Sequence, residues 1–428
     1  MNNRFSTQVI NDKILEKLSL KNRYNFLNDN LSLFLDDKEF AFLKEVQDFC
    51  VKFENENQIT HGPNEDIYDW YPKFGEKGYI TRQNSYECID MNYGEFGMAM
   101  DFMRILALDF FDPQFTMGTG ATVICINPIF EHHENIPVRL EALKELVTGK
   151  TSGCLLITEP ERGSDAVHML TVCDEQEDGG FILNGTKIFN TNAPKAKWAV
   201  AYATAEKNNG NLMAQFLINT SWEGWNCERV GIPWVPKLYI GKENLINLKV
   251  PKEYILGPVG KGRDHLFEGL VPERISIAVR GVSECWGALA HAVIYANMRK
   301  QFDKEILLFQ GVGFTLTDLW AKVTALTHGI LKFCEVYDEK MEKHKTKLPE
   351  NVSRAMVALG SQYKYNSALL SKKVCYEAAN LMGGAGLCDN TLMQDYLNIS
   401  RIQEIIGGSR QIQNFIMSRN LRSLFKNL

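Results

Sequence analysis

Apolar positions change their period twice along the chain, and the changes divide it into three zones. In residues 1 to about 150 they recur at helical spacing. Phe42, Leu43, Val46, Phe49, Cys50 and Phe53 fall on one face, and Asp36 with Glu39 just ahead predicts a capping box. Pro137 suits the first turn of another helix, in which Leu140, Leu143, Leu146 and Val147 share a face. These positions are candidate core. From about 151 to 258 the runs become short and β-rich: Cys154 to Thr158, Met169 to Cys173, Phe181 to Leu183, Trp198 to Ala203 and Met213 to Ile218. Asp178-Gly179-Gly180 and Asn184-Gly185 separate some of them and suit the positive φ angles of tight hairpins. A compact antiparallel sheet fits better than βαβ units, which place helices between strands.

Helical spacing returns after Gly257-Pro258-Val259-Gly260-Lys261-Gly262, a natural linker. A short helix is expected before Pro272, then long ones over roughly 272–300, 309–342, 351–382 and 391–425. Four such helices joined by short turns predict an antiparallel bundle. The expected fold class is α+β: an N-terminal helical domain (1–150), a middle antiparallel β domain (151–258) and a C-terminal four-helix bundle (259–428).

Composition narrows the function. Of 428 residues, 45% are hydrophobic and 23% charged, which is ordinary for a globular protein. A net charge of −5 argues against a nucleic-acid partner. The basic cluster Lys340, Lys343, His344, Lys345 and Lys347 is interleaved with Glu339 and Glu342 and reads as a solvated helix end or loop. The ten cysteines form no CxxC pair and no zinc-like spacing, so reduced, buried thiols in an intracellular protein are expected. No apolar run reaches the ~18 residues of a membrane span. Thr116 to Phe130 comes nearest, interrupted by glycines, threonines and Asn127. The N-terminus is mildly basic (Arg4, Lys13, Lys17, Lys21, Arg23) but also holds Asp12 and Glu16, so a cytoplasmic location is expected ahead of the mitochondrial matrix.

Two loops could carry chemistry. Thr158-Glu159-Pro160-Glu161-Arg162-Gly163-Ser164-Asp165 leaves a strand at a proline and offers backbone N–H groups to an anion or a polar ring edge, although an ordinary turn has the same composition. Gly383-Gly384-Ala385-Gly386 allows close backbone approach or simply closes a turn. No GxGxxG stands between a strand and a helix, so a Rossmann nucleotide site is unsupported. His132, His133, His168 and His265 have no evident catalytic partner and are expected to be structural or solvent-facing.

Several motifs together resemble the acyl-CoA dehydrogenase family, in family order from Thr158 to Gln411. Thr158 to Asp165 resembles its TEPxxGSD segment, with Glu161-Arg162 in place of a small pair. Lys187 to Asn192 resembles K-x-[WF]-I-T-N, and Arg299 to Phe302 resembles R-x-x-F followed by Asp303 instead of glycine. Asn380 to Gly386 resembles QxxGGxG with asparagine leading. Before residue 130 the likeness is loose. The resemblance implies FAD. By it, Leu155, Ile157, Thr158, Gly163, Ser164, Phe189 and Thr191 would line the isoalloxazine. Arg299, Phe302, Gln310, Asn380, Gly383, Gly384, Ser409 and Gln411 would contact the rest of the dinucleotide, some from a neighbouring subunit. A homodimer or homotetramer follows from that sharing.

The family's reaction removes the α-proton of an acyl thioester while the β-hydrogen leaves as hydride to flavin. In most members the residue matching Gly407 is the glutamate that takes the proton, and glycine cannot act as a base. Its backbone N–H could still serve the thioester oxygen. Leu270-Val271-Pro272-Glu273-Arg274-Ile275 resembles the segment in which isovaleryl-CoA and long-chain acyl-CoA dehydrogenases carry their glutamate, with a small residue at the later position. Glu273 is therefore the expected base, and Ser164, Val271 and Arg274 would lie beside the substrate. A first-turn glutamate favourable to the helix dipole is the bland alternative for Glu273. The leading expectation is an acyl-CoA dehydrogenase of fatty acid metabolism passing electrons to an electron-transfer flavoprotein. Alternatives are a relative using carrier-protein thioesters or oxygen, and a flavin- or acyl-CoA-binding protein without dehydrogenase activity.

Overall fold

A computed structural model of the chain describes residue 10 and residues 12–205, 212–344, 348–388 and 391–426. Arg4, Lys345 and Lys347, named above for their charge, lie outside the described residues. In chain order the helices are α1 (Asp12–Lys17), α2 (Leu20–Leu31), α3 (Asp37–Asn57), α4 (Tyr71–Glu76), α5 (Met98–Phe111), α6 (Pro113–Glu131) and α7 (Pro137–Val147). The strands are β1 (Gly153–Leu156), β2 (Val172–Glu175), β3 (Phe181–Thr191), β4 (Trp198–Ala205), β5 (Leu212–Asn219), β6 (Trp225–Val230) and β7 (Ile240–Val250). Next come α8 (Gly262–Met298), the small strands β8 (Lys300–Gln301) and β9 (Lys304–Glu305), α9 (Gln310–His344), α10 (Glu350–Met382), α11 (Met393–Ile402) and α12 (Arg410–Lys426). No helix among the described residues is long and apolar enough to cross a membrane.

The chain forms two compact units. One comprises residues 1–65, 97–114 and 274–428, and the other residues 66–96 and 115–273. The first is helical. The expected capping box starts α3: the Asp36 carboxylate accepts from Glu39 N–H at 2.8 Å and Asp36 N–H donates to the Glu39 carboxylate at 3.1 Å. The predicted face of α3 is inside, with Leu43, Val46 and Cys50 inaccessible to solvent. On α8, Trp286 is fully buried, its indole N–H donating to Thr327 of α9 at 2.9 Å.

In this unit the expected fourth helix is two. Gly407 and Gly408, with φ of 58° and 88°, take left-handed conformations that leave the helical path and separate α11 from α12. In the other unit, Pro272 does not divide α8 into a short helix and a long one. A proline inside a helix removes one hydrogen bond and costs about 3 kcal/mol. Burial of Leu266, Val271 and Ile275 around it offsets that cost.

The second unit holds the sheet, in the order β1-β4-β2-β3-β7-β6 with β5 on β4. Most pairs are antiparallel as expected, but β1 and β2 each run parallel to β4, so the sheet is mixed. Parallel neighbours need a long crossover. Here β2 and β3 supply it between β1 and β4. Asn184-Gly185 does not close a hairpin. Gly185 sits at a register shift within the continuous β3, where an added Cβ would strike Thr171.

Candidate active site

Successive strand residues point to opposite faces of a sheet. Cys154 and Leu156 join Ala199, Ala201, Phe216 and Ile218 in the buried core on one face, so Leu155 points to the other. Leu155 stands opposite Val200, and Tyr202 opposite Gln215, in the paired strands. Two helices close over this second face. On α6, Ile124, Asn127, Pro128 and Glu131 recur at i, i+3, i+4 and i+7; on α8, Leu266, Gly269, Leu270 and Glu273 repeat that spacing. Such spacing turns one side of each helix to a common surface. These residues, with Leu155, Ile157, Tyr202, Gln215 and His265, line a narrow cleft of about 30 Å³.

The electrostatics of the cleft are acidic. Glu131 is open to solvent at the cleft yet ringed by protein atoms, and burial, reinforced by the charge of Glu268, raises its carboxyl to about 7. Burial, then the charge of Glu131 and more weakly that of Glu273, push the Tyr202 hydroxyl up. His265 packs against His132 with ring centroids 4.3 Å apart and planes tilted by 44°, and burial lowers both imidazoles. His265 is thus neither remote from the cleft nor simply solvent-facing. His168 does lie at the surface, against Asp165 at 2.6 Å.

Local contacts fix the two segments beside the cleft. The Thr158 carbonyl accepts from Ile188 N–H at 2.9 Å, which holds the 158–165 loop against β3. Lys187 donates to the Ile157 carbonyl at 3.1 Å and to the Glu159 carboxylate at 2.9 Å. Between Ile188 and Asn190 the β3–β7 register shifts, and Phe189 takes a φ of 64° and stands 58% exposed. Asn190 points inward and donates to Glu243, whose carboxyl burial raises to about 7. Past Thr191, Asn192 donates to the Gly118 and Gly153 carbonyls and accepts from the Tyr68 hydroxyl.

The residues of this unit fit a flavin ring. Leu155, Ile157 and Phe189 offer apolar surface, while Thr158, Ser164 and Thr191 supply hydroxyls at accessible positions. A Cβ on Gly163 would meet no atom within 4 Å. An apolar plate with a polar rim matches a flat, largely apolar ring that has a hydrogen-bonding edge. Val271 is buried and does not line the cleft.

The other predicted residues lie in the helical unit. Arg274 is 3% exposed on α8. Arg299, Phe302 and Gln310 are exposed around the β8–β9 turn, where Phe302 and Asp303 take φ of 52° and 63°, the two left-handed positions of a tight hairpin. Asn380, Gly383 and Gly384 are exposed at the end of α10, with open space around both glycines. Gly407 and Ser409 are half-buried in the loop before α12, and Gln411 is exposed in its first turn. Sequence reasoning missed Glu131, Tyr202 and Gln215. Glu131 and Asn127, polar positions one helical turn apart in an apolar stretch, were the available signal.

Residues 154–233 match the family description "Acyl-CoA dehydrogenase, middle domain" and residues 260–422 match "Acyl-CoA dehydrogenase, C-terminal domain". The chain is 30% identical to the caffeyl-CoA reductase-Etf complex subunit CarC of Acetobacterium woodii, over 64% of this chain and 70% of that one. It is 26% identical to the mitochondrial isovaleryl-CoA dehydrogenase of Solanum tuberosum, over 91% and 92% of the two chains. The solved butyryl-CoA dehydrogenase of Megasphaera elsdenii superposes with a TM-score of 0.80 at 23% identity, covering 90% of this chain and 98% of that one. The chain belongs to the acyl-CoA dehydrogenase family and is an FAD-dependent oxidoreductase.

Proposed function

We propose that the protein removes the α- and β-hydrogens of an acyl thioester and that Glu273 is the base that takes the α-proton. One observation carries this reading: Glu273 lines the same cleft as Leu155 and Ile157, the strand residues assigned to the flavin ring. A carboxylate facing that surface is where an α-carbon between base and ring would lie. Bound FAD supplies the acceptor for the β-hydride. Around it Leu155, Ile157 and Phe189 would exclude water, and Thr158 and Thr191 would orient the ring's polar edge.

Gly407 contributes no acid or base. Its carbonyl accepts from the Gln413 amide at 3.0 Å, and that of Gly408 accepts from Lys364 at 2.6 Å. By family resemblance alone, the N–H of Gly407 would be the donor that polarises the thioester oxygen as the α-proton leaves. Arg299, Phe302, Gln310, Asn380, Gly383, Gly384, Ser409 and Gln411 would hold the rest of the dinucleotide across a dimer or tetramer. The exposed Phe302, Leu308 and Phe314 favour such an assembly. The relative named as part of a reductase-Etf complex supports an electron-transfer flavoprotein as partner, and a cytoplasmic location belongs to the same reading.

The test is anaerobic flavin bleaching by a panel of acyl-CoA and carrier-protein thioesters, followed by reoxidation with electron-transfer flavoprotein or oxygen. Bleaching by a thioester and reoxidation by the flavoprotein are expected. Bound flavin that no thioester bleaches would favour a binding protein without dehydrogenase activity.

A further inference from the structure

Two residues that line the cleft around Glu273 carry buried amide oxygens with no donor among the described residues. Gln215, 2% exposed on β5, donates its amide nitrogen to the Tyr202 hydroxyl, and its Oε1 is buried without a partner among the described residues. Asn127 on α6 repeats the pattern: its nitrogen donates to Gln83 at 3.1 Å, and its Oδ1 is buried without a partner among the described residues. Glu131 adds a carboxylate one helical turn further along α6. A buried acceptor left without a donor is costly, so such groups commonly await a ligand or water.

Charge points the same way. Among the described residues, no lysine or arginine lines the cleft. Glu268 lies within electrostatic reach of Glu131. Burial keeps His132 and His265 below the usual imidazole range, so they add little positive charge at neutral pH. A hydrocarbon acyl chain entering here would leave both amide oxygens unmatched. A hydroxyl would satisfy one of them and balance no charge. An ammonium carries three donors and the opposite charge.

We propose that this cleft selects acyl thioesters whose acyl chain carries a primary ammonium group, with Glu131 as counter-ion and Gln215 and Asn127 as acceptors. The proposal rests on the assignment of the Glu273 cleft to the acyl group. Glu131 balances the cation and leaves Glu273 to take the α-proton. The narrow space favours one small polar group over a branched or aromatic one.

The experiment compares each ω-aminoacyl-CoA of a chain-length series with the methyl-ended acyl-CoA of the same heavy-atom count. Flavin bleaching is followed in the FAD-loaded wild type, and equilibrium binding in Glu273→Gln. At one length the ammonium member should exceed its isostere by about tenfold or more in kcat/KM and in affinity, as expected for a hydrogen bond to a charged group. In Glu131→Gln that ratio should collapse toward unity, with the bound flavin's absorbance reporting a folded protein. If methyl-ended thioesters bleach the flavin as fast or faster at every length, this inference falls while the dehydrogenase reading stands. If the ratio survives in Glu131→Gln, the role of Glu131 is overturned. If no thioester of either kind bleaches the flavin, both readings fall together.

Discussion

The Lys187 ammonium lies 2.9 Å from the Glu159 carboxylate, and both side chains are sealed from solvent. Burial opposes the charge on Glu159, but Lys187 and the hydrogen bonds from Leu170 and Thr171 outweigh it and hold the carboxyl below its usual range. Burial in turn lowers Lys187 to about 8 despite its partner. The pair anchors the start of the 158–165 loop to β3. Removing one member of a buried pair strands the other and costs about 3–5 kcal/mol. Lys187→Met should therefore lower the unfolding free energy by that amount and weaken flavin retention, read by urea unfolding and by absorbance after gel filtration.

Glu243 gives a pH dependence. Burial raises its carboxyl from 4.5 to about 7 in the folded protein. Between those values the folded state binds more protons than the unfolded chain, so this group's contribution to stability falls as pH rises through the window. The loss is on the order of 3 kcal/mol once the carboxyl is ionised. Glu243→Gln removes the titration. Its stability relative to wild type should rise from about pH 5 to about pH 8, as measured by chemical denaturation across that range. A flat difference would mean that Glu243 does not titrate there.

Lys364, 1% exposed on α10, donates to the Gly408 carbonyl at 2.6 Å. Loss of this charged donor would loosen the Gly407–Gly408 loop, whose N–H is proposed above to serve the thioester oxygen. A hydrogen bond to a charged group is worth about 1.5–3 kcal/mol. If its loss falls on the transition state, Lys364→Met should reduce kcat by about 10- to 100-fold while FAD stays bound. Stopped-flow bleaching measures the effect, and an unchanged rate would place the lysine's role in stability alone.

Phe302 is 88% exposed and Leu308 63% exposed beside the β8–β9 turn, an unfavourable arrangement for a lone chain in water. Phe302→Asp with Leu308→Asp should shift the protein toward monomer in sedimentation velocity and release flavin. An unaltered sedimentation coefficient with full flavin would remove this turn from any subunit contact.

Local rules carried the sequence reading where the determinants are local. Asp36 and Glu39 satisfy one helix start between themselves, and Pro137 opens α7 as its fixed φ allows. Gly185 failed as a hairpin signal because a glycine at close backbone approach looks the same in sequence whether the strand turns or bulges. The break at Gly407–Gly408 was masked by apolar spacing that resumes in α12. Strands β6 and β7 went unseen because Glu228, Arg229, Lys242, Glu243 and Asn244 interrupt their apolar positions. Leu155, Ile157 and Glu273 were legible through motif resemblance. Glu131, Tyr202 and Gln215 were not, because α6, β4 and β5 are far apart in sequence and only the tertiary fold brings them to one cleft.

The central claim concerns a single side chain, so the most direct measurement is anaerobic reduction of FAD-loaded Glu273→Gln by the thioester that bleaches the wild type fastest. The amide keeps the shape and cannot accept the α-proton as a base. FAD content equal to wild type, with bleaching slowed at least about a thousandfold, roughly 4 kcal/mol in the barrier, is the predicted result. Bleaching at the wild-type rate would contradict the account and send the search for the base to another residue.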